Sequence, residues 1–179
     1  MNLIGIRAAG AAVALLGLTT ALPALAGEAE DRTELVNLMM RYGEVHDFGT
    51  PQEYAALFTD EGEIAVGDRV VVKGRDALVA QAERDHERYT VTLPDGQTTF
   101  LMRHLITNTV IESLDGDRAT GTSFVTTMIR DGEEGPKVLS VGRYIDTFER
   151  ERGEWKIARR TIVLDFGNPE LGRKYGFQR

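Results

Sequence analysis

Apolar positions in this chain switch from helical spacing to alternation. From Asp31 to Asp47, the positions Leu35, Leu38, Met39, Tyr42 and His46 repeat every three or four residues, which predicts one amphipathic helix stopped by Gly49. Thr50-Pro51-Gln52-Glu53 then has the form of a capping box with proline at the first helical position, so a short second helix is expected to about Phe58. "GEIAVGDRVVVKG" alternates around Gly67-Asp68 and reads as a small hairpin. A third helix is expected from Asp76 to about Arg88, with Ala77, Leu78, Ala80 and Gln81 toward the protein. Tyr89 to Thr99 has turn chemistry at Pro94-Asp95-Gly96 but no clear period, and is a candidate lid.

The remainder reads as long strands: 100–114, 118–130, 137–149 and 154–166, separated by turn signals at Asp115-Gly116, "DGEEGP" and Arg152-Gly153. Helices followed by a meandering antiparallel sheet define an α+β fold, with the helices on one face of a curved sheet. Strict alternation along "FLMRHLITNTVIE" puts Met102, His104, Ile106, Asn108 and Val110 on one face, and Leu101, Arg103, Leu105 and Thr107 on the other. No internal repeat or second domain boundary is visible.

The N-terminal stretch has a different character. One positive charge at Arg7, an apolar run from Ala8 to Leu18 and Ala24-Leu25-Ala26 before a polar stretch form a secretory leader, expected to be cut after Ala26. The run falls short of the ~20 residues a membrane span needs. Residues 27–179 then form one domain, with 167–179 as a C-terminal tail, expected in the periplasm or secreted, with no membrane association after cleavage. The chain carries 21 Lys and Arg against 28 Asp and Glu, which makes nucleic acid a poor partner. It has no cysteine, which excludes thiolate metal sites and thiol chemistry.

Candidate chemistry gathers on three histidines and the residues around them. Asp47 sits in the last turn of the first helix, where a carboxylate faces the negative end of the macrodipole and loses up to about 1 kcal/mol. If the sheet wraps over this helix, Asp47 can hydrogen-bond His104 and make its imidazole a stronger base; the competing reading is a solvated helix-end carboxylate beside Gly49. Tyr42 and His46, one turn apart, point into the same space, and Tyr54 can join them to hold a substrate oxygen. Asn108 is a secondary polar contact. Arg143 can hold an anionic substrate group or pair with an acidic neighbour at the surface. His86 is expected in solvent, and Arg159-Arg160 in surface pairing. The histidines offer no HExxH-like pair, so no metal is expected, and neither a glycine-rich phosphate loop nor a Gly-x-Ser-x-Gly elbow is present, so no cofactor is expected.

"RYGEVHDFGTPQEYAALFTDEGEI", "VVKGRDALVAQ", "RHLITNTVIESLDGDRATGTSF" and "VGRYIDTFERERGEWKIARR" together resemble the SnoaL-like branch of the NTF2-like superfamily, close to its scytalone-dehydratase-type members. The resemblance spans about Glu30 to Phe166. It implies a cone of three helices and a strongly bent sheet enclosing one pocket, often in a homodimer or homotrimer, with Asp47 and His104 at the acid/base dyad positions. The chain departs from the dehydratase pattern where a second strand histidine is expected: "GTSFVTTMIR" has none, and His46 stands where that pattern has tyrosine.

These readings converge on a cofactor-independent lyase of the dehydratase type acting on a small hydrophobic, hydroxylated aromatic or polyketide-like compound. His104 would be the general base or acid, and Asp47 would orient it. A formaldehyde-releasing retro-aldol reaction or an isomerisation would use the same groups. A non-catalytic ligand-binding module, or an oligomerisation domain pairing through the face that includes Leu101 and Leu105, is the competing class.

Overall fold

The structure, a computed structural model, describes residues 21–132 and 135–176, with side chains from Gly27 onward. Most of the expected leader, and Phe177 of the tail, lie outside the described residues. Helix α1 (Ala21–Phe48) ends in the predicted site segment, and the expected cleavage point after Ala26 falls inside it. Its inner face buries Leu35, Met39, Tyr42 and His46, the same three-and-four series legible in the sequence. Helix α2 (Pro51–Ala56) starts with the predicted capping box: Glu53 N–H donates to Thr50 Oγ1 at 3.2 Å and Thr50 N–H donates to Glu53 Oε2 at 2.7 Å. Among the described residues, no helix is long and apolar enough to cross a membrane.

Strands β1 (Phe58–Val66) and β2 (Arg69–Lys73) form the predicted hairpin, and α3 (Arg75–Tyr89) follows. The candidate lid is itself a hairpin, β3 (Thr90–Thr92) and β4 (Thr98–Phe100), standing apart from the main sheet. Its last residue, Phe100, brings its ring 5.9 Å from that of His46. The long strands are β5 (Met102–Asp115), β6 (Arg118–Arg130), β7 (Pro136–Glu151) and β8 (Glu154–Gly167). The main sheet runs in the order β2-β1-β8-β7-β6-β5, antiparallel except where β1 lies parallel to β8. Helix α1 packs across β5 at one end of this order, so the helical layer and the curved sheet enclose a core that includes Phe58, Leu78, Phe148 and Ile157.

Single-residue bulges, among them one in β5 and one in β8, rearrange the alternation read from sequence. In β5, Thr107 pairs with Phe124 and Val110 with Thr122, so Asn108 and Thr109 together oppose Ser123. Asn108 takes a left-handed conformation there, φ 52°, which asparagine adopts more readily than most side chains. Past this point the phase is reversed: Asn108 and Val110 face solvent, while Ile111 packs against the core. In β8, Arg159 pairs with Thr147 and Ile157 with Phe148, which leaves Ala158 as the extra residue.

The β8 bulge turns Arg160 inward, contrary to the surface pairing expected of it. Arg160 and Asp146, directly opposed across β8 and β7, are both fully buried. The guanidinium donates to both carboxylate oxygens, at 2.9 and 2.6 Å, and lies against the rings of Tyr42 and Tyr144 at 3.9 and 4.2 Å. Arg159 does form the expected outer pairing, with Glu63 at 3.3 Å.

The tail is docked. Helix α4 (Pro169–Lys174) buries Leu171 in a second apolar cluster with Tyr89, Met102, Ile129 and Leu139. Leu101 packs against this cluster too, which removes it from the outer face where alternation placed it. Tyr175 Oη–H donates to Asp131 at 2.7 Å, beside the Lys174–Asp131 ion pair.

Candidate active site

The end of α1 and the start of β5 are held together by one carboxylate. Asp47 Oδ2 accepts the His104 backbone N–H at 2.8 Å, and Oδ1 accepts His104 Nδ1–H, also at 2.8 Å. These two bonds answer the macrodipole penalty noted for Asp47: a carboxylate at a helix C-terminus is favoured here because two donors from another element converge on it. Gly43 makes the approach possible. A Cβ at this position would stand 2.8 Å from the His104 carbonyl oxygen and 3.2 Å from Ile106 Cγ1.

Because Nδ1 carries the proton shared with Asp47, Nε2 of His104 holds the free lone pair, and it makes no hydrogen bond among the described residues. The His46 ring stands 4.4 Å from that of His104, tilted at 65°. His46 lies between two carboxylates: Nδ1 is 3.5 Å from Asp47 Oδ1, and Nε2 is 3.5 Å from Asp85 Oδ2. Asp85, on α3, is itself held by Gln81 Nε2 at 2.9 Å.

Protonation follows from this arrangement. Burial works against a charge on His46, but Asp47 and Asp85 outweigh it and raise its pKa above 6.5. Burial and the adjacent His46 hold His104 below 6.5, with Asp47 pulling the other way. Burial also opposes ionisation of Asp47, yet its bonds to His104 and His46 bring its pKa to about 2. The arrangement therefore favours the charged form at His46 and the neutral form at His104, beside an ionised Asp47.

His46, Asp85 and His104 line a cavity of about 350 Å³, with Asp47 behind His104. Tyr42 and Tyr54 stand beside them, their hydroxyls 3.1 Å apart. Burial raises both phenols above their usual pKa, so each keeps its proton and can donate a hydrogen bond. Tyr144 faces the same space, with Ile64, Val72, Val125 and Ile162 forming apolar wall. The arrangement pairs a base with a neighbouring acid and supplies phenol donors in a largely dry chamber.

Five of the seven residues expected at the site converge there: Asp47, His104, Tyr42, His46 and Tyr54. Two do not. Asn108 is turned to solvent by the β5 bulge. Arg143 lies on the outer face and pairs with Asp165 at 3.2 Å, while its neighbour Tyr144 takes the inward position. His86 is half-buried, contrary to its expected exposure: Nε2–H donates to the His46 carbonyl at 3.0 Å and the ring stands 5.3 Å from Phe100. Sequence reading also missed Gly43, Asp85 and Arg160. For Asp85 a signal existed, since Gln81 was placed inward and Asp85 is one turn further along the same helix face.

His46, Asp47 and His104 offer ligating atoms within 4.8 Å of one another, the one such cluster among the described residues. Both oxygens of Asp47 accept bonds from His104, which orients this carboxylate toward the imidazole.

A helical layer over a bent sheet, with a polar cluster at the closed end of an apolar cavity, defines the NTF2-like class of α+β proteins. Within that class the chain belongs to the SnoaL-like domain family, which matches residues 27–161. A solved NTF2-like protein from Novosphingobium aromaticivorans is 26% identical, with a TM-score of 0.70 over 88% of this chain and 96% of that one. A protein of unknown function from Mycobacterium tuberculosis is 28% identical, with a TM-score of 0.65 over 76% of this chain and 77% of that one. A third structure, from Novosphingobium aromaticivorans and provisionally named a scytalone dehydratase, is 23% identical, with a TM-score of 0.64 over 80% and 90% of the two chains. No curated protein matches the chain significantly.

The close approach at Gly43 is testable. Gly43→Ala forces α1 away from β5, at a steric cost of roughly 1–3 kcal/mol that exceeds the gain of about 1 kcal/mol in helix propensity. Urea unfolding of this variant is expected to show a net loss of stability. A variant as stable as the parent chain would mean that the two elements need not meet this closely.

Proposed function

We propose that the protein is a cofactor-independent lyase of the dehydratase type, acting on a small hydroxylated aromatic or polyketide-like compound, with His104 and Asp47 as its acid/base pair. One observation carries this reading: Asp47 binds the Nδ1–H of His104 at 2.8 Å and so leaves the Nε2 lone pair of a cavity-lining imidazole free to take a proton. Membership of the SnoaL-like family, and the provisional name of one similar structure, agree with it.

In a substrate with a hydroxyl group β to a carbonyl, Nε2 takes the proton from the carbon between them. The electrons of that C–H bond form the new double bond as the C–O bond breaks. His46, in its imidazolium form, protonates the departing hydroxide to give water. Tyr42 and Tyr54 donate to the carbonyl oxygen as it gains charge, which is where fixed donors lower the barrier most. Transfer of one proton from His104 back to His46, whose rings lie 4.4 Å apart, restores the resting state. Loss of formaldehyde from a hydroxymethyl-bearing aromatic compound, or an isomerisation, draws on the same base and the same donors.

Export is part of the proposal and rests on the leader expected to end at Ala26. Self-association into a homodimer or homotrimer rests on the outer sheet face, where Leu105, Phe124 and Ile145 are each 43% exposed on adjacent strands.

His104→Ala and Asp47→Asn are each expected to lower kcat by about 10²–10⁴-fold on an aromatic β-hydroxy carbonyl compound, in line with loss of a general base. The check is mass spectrometry of metal-free reactions. Unchanged turnover in either variant removes the dyad from the mechanism, and turnover that appears only on adding a divalent ion reassigns His46, Asp47 and His104 to coordination.

The protonation states fix the sign of the pH dependence. Activity needs neutral His104, so it rises with pH through a pKa below 6.5; it also needs protonated His46, so it falls through a pKa above 6.5. Asp85→Asn removes one of the two carboxylates facing His46 and is expected to move the alkaline limb to lower pH. An alkaline limb that stays in place excludes Asp85 from positioning that proton.

Sequencing of the mature protein from its native host is expected to begin at Gly27, and light scattering to give two or three times the mass of one chain. Retention of Met1, or a single-chain mass, would refute the corresponding part of the reading.

A further inference from the structure

The cavity's two ends differ in chemistry. Its closed end holds the buried groups already described, and its middle is apolar. Its mouth is formed by exposed residues, among them Arg69 from the β1–β2 hairpin, Arg88 from the last turn of α3, and Val71, which is 45% exposed. Both arginines lie at the opening of one cavity in a protein whose formal net charge is -7. An acidic surface repels anions in general, so two guanidinium groups at this one opening reverse the local preference.

The two are also available. Arg69 makes no hydrogen bond or ion pair among the described residues, although Asp68 is its chain neighbour. Arg88 Nη1 reaches the Gly176 carbonyl only at 3.4 Å, and it interacts with the neighbouring Tyr89 hydroxyl, so neither contact neutralises its charge. The acidic group that does line the cavity, Asp85, is engaged by His46 and Gln81 at the other end. Arg143, the residue expected from sequence to hold an anionic group, is outside and paired.

We propose that Arg69 and Arg88 form a carboxylate-recognition site at the mouth of the cavity, so that the substrate is an aromatic or polyketide-like acid whose carboxylate stays at the opening while its hydroxylated end reaches His104. The inference rests on the reading that this cavity takes the substrate, and it adds the charge and the polarity of entry. Guanidinium groups suit the task because their planar donors match the two oxygens of a carboxylate. The apolar stretch between the ends, with Val66, Ile162 and Leu164, accepts a hydrophobic ring system, and the volume of about 350 Å³ lies toward the lower end of the ~300–1,000 Å³ typical of small-molecule sites.

The test is binding without turnover. Titration calorimetry with 2-naphthoate, its uncharged isostere 2-naphthamide and 2-naphthyl phosphate is run on the full mature chain, on Asp47→Asn, on Arg69→Gln and Arg88→Gln singly, and on the double arginine variant. The expected result is at least tenfold tighter binding of naphthoate than of naphthamide, weakened by salt and retained in Asp47→Asn. Each single arginine variant should reduce that preference and the double variant should abolish it, with naphthamide affinity and melting temperature unchanged. Equal affinity for acid and amide, no measurable naphthoate binding, or a preference that survives in the double variant would overturn the proposal. Tighter binding of naphthyl phosphate than of naphthoate would overturn the carboxylate assignment in favour of phosphate esters. A failed lyase assay leaves all these outcomes readable, since none depends on catalysis; conversely, loss of the acid preference leaves the dyad standing.

Discussion

The site depends on Asp47 reaching two donors of one residue. Its oxygens bind the ring and the backbone of His104, so a single carboxylate sets both the orientation of the imidazole and the position of β5 against the end of α1. The two tasks cannot be separated: moving the helix to relieve one bond lengthens the other. Gly43, one turn before Asp47, has no side chain to keep the helix off the strand. The cost of placing a negative charge at a helix C-terminus is thereby offset by packing and hydrogen bonding that also serve the chemistry.

A buried ion pair supports the opposite wall. Arg160 and Asp146 are both inaccessible to solvent, and each charge is expensive to hold there unless the partner is well placed. The guanidinium does more than satisfy Asp146, because its faces contact Tyr42 and Tyr144 and keep both rings turned toward the cavity. Replacing the pair with apolar residues of similar volume would give up this control of ring position even where it preserved stability. The donor at Tyr42 thus owes its placement to a charge pair on the sheet as well as to the helix that carries it.

Much of the fold was legible because its signals are local. The capping box at Thr50 to Glu53, the Gly67-Asp68 turn and the three-residue and four-residue spacing before Asp47 each depend on a few neighbours in sequence, and each element forms where expected. The inward phase of His104 was readable too, since it lies before the first bulge, whereas its meeting with Asp47 was an expectation that rested on the sheet wrapping over α1 and on the family resemblance. Residues beyond a bulge were lost. Asn108 falls on the wrong face and Arg160 on the unexpected one because one extra residue shifts the phase of the positions that follow it, and no composition signal marks Ala158 as that residue. For Arg143 and Tyr144 alternation required one inward and one outward residue, and burial of the phenol decided between them. Asp85 shares the inward face of Gln81, but its place beside His46 depends on the distance between α3 and the end of α1, which is set by tertiary packing.

The parallel contact between β1 and β8 has a consequence for the order of assembly. β1 is the first strand to be synthesised and β8 the last, and β1 joins the sheet only through β8. A chain ending before Glu154 would therefore hold a hairpin with no strand beside β1 to join it to the sheet and a β7 edge left open, both prone to pairing with other molecules. Joining of the β1–β2 hairpin to the main sheet, and with it the completion of the chamber wall, thus waits on the final strand.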